Sequence, residues 1–161
     1  MNKETAKQDK VIKEYHKIMD RIMEKLKEKE LVLNIKKGQK AEDLAEKYYT
    51  KKGYIVYRSR VKAGYRIIGV KYYWKEYEDL LTEEDKKIVY HLHNILGEKE
   101  FRELAYLTKD KNGCPDLMLV KSKKIRFVEV KTNNEEIKSA TLEFSIRNKK
   151  YPLSILRVKH K

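Results

Sequence analysis

The sequence predicts an α/β fold with a mixed sheet, on three observations. Two apolar, strand-like runs at 114–120 and 125–131 are joined by four polar residues; helical apolar stripes lie upstream; and a helix followed by an apolar strand closes the chain. At 161 residues the chain is long enough for one domain, 1–161, with a proper core.

The elements follow in order. Val11, Tyr15, Ile18, Met19, Ile22, Met23 and Leu26 recur at intervals of three and four, which predicts an amphipathic helix from Lys3 to Leu31 inside an N-terminal segment 1–34. Its other face is basic, with Lys10, Lys13, Lys17 and Arg21. Such a helix docks onto the rest of the domain or pairs with a second copy to give a homodimer. Without Trp or Phe on its apolar face, binding to a membrane surface ranks last.

A second stripe, Ala41, Leu44, Ala45 and Tyr48, predicts a helix flanked by Glu42 and, one turn later, Glu46. Gly53 reads as its C-cap and Tyr54 to Arg58 as the first strand.

Segment 60–108 reads as an insert between core elements. Its first part, with Arg58 just before it, interleaves Arg58, Arg60, Arg66 and Lys71 with Tyr72, Tyr73 and Trp74. Cations hold phosphates and aromatic rings stack on exposed bases, so this mixture suits branched, frayed or single-stranded DNA; a packed, tyrosine-rich hairpin is the alternative. Thr82 is the N-cap of a helix carrying Ile88, Val89, Leu92, Ile95 and Leu96 up to Gly97, and a short helix follows through Leu107. His91 and His93, two apart on a helix, do not face one another and make no metal site. After the hairpin come a helix from Lys138 to Lys149 and a strand from Leu153 to Val158.

The hairpin carries the chemistry. With the turn centred between Ser122 and Lys123 and no bulge, Val120 pairs with Ile125 and Met118 with Phe127, which places Asp116 opposite Glu129. Like charges so placed repel, so a cation between them is expected, and Lys131 points to the same face as Glu129. Hard divalent cations such as Mg²⁺ bind through one or two carboxylates plus waters and phosphate oxygens. A metal held there beside an ammonium suits phosphodiester hydrolysis; the alternative is a solvated surface hairpin.

Gly113-Cys114-Pro115-Asp116-Leu117-Met118-Leu119-Val120 followed by Phe127-Val128-Glu129-Val130-Lys131 resembles the PD-(D/E)XK nuclease superfamily, most closely its virus-type replication-repair (VRR-NUC) and archaeal Holliday junction resolvase branches. The resemblance implies a restriction-endonuclease-like core and a Mg²⁺- or Mn²⁺-dependent deoxyribonuclease. It implies that Asp116 and Glu129 ligate the metal with help from the backbone carbonyl of Val130, and that Lys131 positions the attacking water. The Gly38-x-x-x-Glu42 spacing is similar to the resolvase opening and singles out Glu42 as a third acid. One departure stands out: Thr141 occupies the place where the VRR-NUC pattern has a glutamine, and its hydroxyl reaches less far towards a water or phosphate.

Composition agrees with a DNA partner. Net charge is +14, spread along the chain, which favours phosphate binding that weakens steeply with salt. The single cysteine, Cys114, excludes an intramolecular disulfide and reads as a packed thiol. No run is long and apolar enough to span a bilayer and no signal peptide is evident, so the expected location is cytoplasmic. P-loop, dinucleotide-glycine and zinc-cysteine patterns are all absent from the sequence. The rival reading is a non-catalytic DNA-binding protein on a nuclease-like core.

Overall fold

The computed structural model describes residues 2–59, 82–108 and 113–160. Along the chain these form α1 (Lys3–Glu28), β1 (Leu31–Ile35), α2 (Ala41–Lys51), β2 (Ile55–Arg58), α3 (Glu83–Leu107), β3 (Leu117–Lys121), β4 (Lys124–Thr132), α4 (Ser139–Arg147) and β5 (Leu153–His160). The fold is α/β, with one five-stranded mixed sheet in the order β1-β5-β4-β3-β2, flanked by helices. Strands β2, β3 and β4 form an antiparallel meander, whereas β5 runs parallel to both β4 and β1. Parallel neighbours need a crossover, and α4 supplies the one between β4 and β5.

The central strands are buried on both faces, which is why β3 reads as a continuous apolar run rather than an alternation. On one face Met118, Val120, Ile125 and Phe127 pack against Val89, Leu92, Phe101 and Leu104 of α3 and Phe144 of α4. On the other, Leu117, Leu119, Val128, Val130 and Leu156 pack against Ala45 of α2. The helical half of the segment expected as an insert is therefore a layer of the core. Thr82 caps α3 with a capping box to Asp85, and at Gly97 (φ +80°) the helix breaks into the expected pair.

Three expectations need correction. The N-terminal helix stops at Glu28, and residues 31–35 within the segment read as 1–34 form β1, because Leu31, Leu33 and Ile35 recur at two and the open edge of β5 pairs with them. Docking of α1 covers only its second half. Met19 and Leu26 are buried with Ile137, Leu142 and Ile155, while Val11, Tyr15 and Ile18 are 67%, 40% and 45% exposed. The closing helix is shorter than 138–149, ending at Arg147, where Asn148 turns the chain by bonding both backbone groups of Tyr151. No helix among the described residues is long and apolar enough to cross a membrane.

Candidate metal centre

The hairpin has the register read from the sequence. Lys121 pairs with Lys124 across Ser122 and Lys123, Val120 with Ile125, Met118 with Phe127 and Leu117 with Val128. Ser122 takes the left-handed conformation (φ +54°) that suits a tight hairpin turn. One step further, Asp116 stands opposite Glu129, and their carboxyls hydrogen-bond to each other. Two carboxyls bond in this way only when one of them holds a proton. Burial, then the hydrogen bond and charge of Asp116, push the Glu129 carboxyl from 4.5 up to about 9, partly offset by Lys131, so the pair takes up a proton more readily than an isolated carboxyl. Glu129 is 8% exposed and Lys131 3%.

Asp116 is placed by backbone contacts on both sides. Its carboxylate accepts the N–H of Val130 at 2.8 Å, and its carbonyl accepts the N–H of Ser59 at 2.8 Å, continuing the β2–β3 ladder. The approach to it depends on Gly113. With φ +82°, Gly113 packs so closely on α4 that a Cβ there would lie 2.1 Å from the carbonyl oxygen of Ala140. Cys114 and Pro115 are buried between, and burial with the charges of Glu129 and Asp116 raises the Cys114 thiol to about 12, so it is a packed thiol and not a nucleophile.

Lys131 emerges on the Glu129 face of β4, with Nζ 3.9 Å from Glu135. Glu135 is itself anchored by the N–H of Thr132 at 3.1 Å. Arg157 of β5 secures the loop between them: it pairs with Glu30 and donates to the carbonyls of Asn133 (2.9 Å) and Glu135 (2.7 Å).

The two candidate third acids separate. Glu42, in the first turn of α2, stays accessible, yet nearby protein and then the charge of Asp116 raise its pKa, against the pull of Arg58. Glu46 pairs with Arg58 at 2.5 Å, and Arg58 also binds Asp43 at 2.6 Å. Arg58, expected to contact nucleic acid, thus bridges two acids of α2. Thr141 is buried in the first turn of α4, its N–H donating to the carbonyl of Lys138. Arg60, Arg66, Lys71, Tyr72, Tyr73 and Trp74 lie outside the described residues. His91 bonds the hydroxyl of Tyr57 and His93 bonds Glu98, so the two rings serve different partners.

Among the described residues no group of three or more His, Cys, Asp or Glu side chains forms a metal cage. The donor set is instead the facing carboxyls of half-buried Asp116 and buried Glu129, with Glu42 nearby. That set fits a cation such as Mg²⁺, which takes one or two carboxylates and keeps most of its waters. The bond from the N–H of Val130 to the Asp116 carboxylate was not among the expectations from sequence, although the predicted facing of Asp116 and Glu129 brings that N–H within reach. No protein-family profile and no curated protein matches this chain.

Proposed function

We propose that this chain is a Mg²⁺- or Mn²⁺-dependent deoxyribonuclease with a core of the PD-(D/E)XK kind. The observation that carries the reading is half-buried Asp116 facing buried Glu129, with buried Lys131 two residues along the same strand face. The order α2, β2, α3, the β3–β4 hairpin, α4 and the parallel strand β5 supports it, as does the net charge of +14.

Asp116 and Glu129 would hold the cation, with Glu42 shaping the waters around it. When bound, the cation supplies Lewis acidity to a phosphodiester oxygen and lowers the pKa of a coordinated water. To hold the cation, Glu129 would give up its proton to solvent. Lys131, confined by burial and by Glu135, donates hydrogen bonds towards the attacking water or the phosphoryl oxygens and offsets negative charge as the P–O bond breaks. Val130 keeps Asp116 oriented throughout.

Incubation of the protein with linear, nicked, flapped and four-way DNA, with Mg²⁺, Mn²⁺ or EDTA, tests the proposal. Metal-dependent cleavage of at least one substrate is expected, and none of any substrate rejects it. The second reading, DNA binding without cleavage, draws on Thr141, buried where the resemblance expects a glutamine. Calorimetry separates the two: Mg²⁺ affinity that disappears in Asp116→Ala belongs to the enzyme alone.

A further inference from the structure

We propose that the opposite end of the sheet carries a second site, a groove that binds single-stranded DNA. The inference rests on reading the chain as a DNA-acting protein, and it adds a site about 17 Å from the acid pair, five residues along β4 from Glu129 to Lys124.

Two cavities of about 680 and 650 Å³ meet there, and Lys150 and Tyr151 line both. The hairpin end supplies Lys121, Lys123, Lys124 and Arg126 to the first. The last residue of α4, Arg147, and the turn after it, with Lys149 and Lys150, line the second. Glu100 and Glu103 are the acids among these lining residues, and Glu100 is already engaged by Lys150 at 2.8 Å and by the Tyr151 hydroxyl at 3.2 Å. Lys121 is committed to the carbonyl of Lys52 and lies over the ring of Tyr54. Lys123, Lys124, Arg126 and Lys149 remain on the rim, exposed and without a salt bridge among the described residues.

Concavity and aromatic rings separate this surface from a merely solvated lysine patch. Tyr151 stands at the junction and is fixed before any ligand arrives. Asn148 bonds its N–H and its carbonyl, Glu100 accepts from its hydroxyl, and Phe127 packs edge-on at 5.9 Å. Lys150 lies over one face of the ring, 5.8 Å from its centre, and exchanges that position for a phosphate contact if a base stacks there; the ring itself, so held, loses little freedom on binding. Each cavity is of a size that takes a single small ligand. A stacked duplex keeps its bases inside and offers none to either cavity, whereas an unpaired strand turns bases towards tyrosine faces while its phosphates follow the cations.

Fluorescence anisotropy with a labelled oligothymidylate, in EDTA and over a range of salt, tests this. The triple variant Lys123→Glu/Lys124→Glu/Lys149→Glu changes exposed positions only. It is expected to lower affinity at least ~10-fold and to reduce the slope of log K against log salt by about 2, three contacts at roughly 0.7 each on a single strand. Tyr151→Leu is expected to weaken the oligonucleotide about tenfold and inorganic polyphosphate not at all, while Tyr151→Phe retains binding. Unchanged affinity and slope in the triple variant overturn the inference. So does polyphosphate binding as tightly as the oligonucleotide with Tyr151→Leu, shown folded by circular dichroism, altering neither. If Tyr151→Leu proves unfolded, the triple variant decides. Metal-dependent cleavage of duplex DNA by the unmodified protein is scored apart: its absence with groove binding intact removes the nuclease reading and leaves this one.

Discussion

Asp116 accepts a hydrogen bond at 2.8 Å from the backbone N–H of Val130, the residue that follows Glu129. One oxygen of the first acid is thereby fixed by the strand that carries the second. The direction of the Asp116 carboxylate is thus set by the backbone of β4 as well as by its own rotamer.

The shared proton gives a pH dependence of definite sign. Glu129 binds its proton more tightly in the folded chain, about 9, than in the unfolded chain, near 4.5. Its stabilising contribution is complete below about 4.5 and is lost as pH rises through about 9. In thermal melts in EDTA across that window, the Tm of Glu129→Gln should fall less with rising pH than that of the unmodified protein. Mg²⁺ should recover the unmodified protein most at the alkaline end. Parallel curves for the two proteins would show that the pair does not share a proton.

Asp116→Asn and Glu129→Gln should each abolish metal-dependent cleavage, while DNA binding in EDTA survives or tightens, because a negative charge facing the phosphates has gone. Lys131→Met, which keeps the buried stem, should also silence turnover. Calorimetry should still detect Mg²⁺ in this variant, since an ammonium is not a ligand. Loss of metal affinity in Lys131→Met would assign the lysine a structural role instead.

Glu42→Gln should slow cleavage about ten- to a thousand-fold through the waters around the cation. Glu46→Gln should change it little, because its partner Arg58 keeps Asp43 and a surface ion pair contributes about 0–1 kcal/mol. Single-turnover rates with saturating metal compare the two, and equal losses would move the third acid.

Gly113→Ala and Gly97→Ala test the approach of Asp116 to α4. Both positions have positive φ, and Gly97, with ψ 170°, lies in a region that is essentially glycine's alone, so an L-residue at either is strained by about 1–3 kcal/mol. Only at Gly113 does a Cβ also collide, 2.1 Å from the carbonyl oxygen of Ala140, whereas Gly97 has open space. Denaturant unfolding should therefore show the larger loss for Gly113→Ala, and only that variant should lose turnover beyond its loss of stability.

How much was legible in the sequence differs by element. The hairpin, its register and the facing of Asp116 and Glu129 were determined locally: a short polar turn between two apolar runs leaves one pairing that keeps both faces buried. The caps at Thr82 and Gly53 and the break at Gly97 were legible for the same reason, since cap and glycine conformations depend on a few neighbouring residues. Strand β1 was not, because five residues after a helix are too few to declare a change of period, and only the edge of β5 makes them a strand. Which half of the α1 stripe is covered was decided by where α4 lies. Glu42 and Glu46 share a helix face, and only Arg58 from β2 and Asp116, just before β3, distinguish them. The groove joins 121–126 to 147–152 because Phe127 pairs with Leu153. Periodicity and turn chemistry act over a few residues, while burial and electrostatics depend on segments that meet only when the sheet has formed.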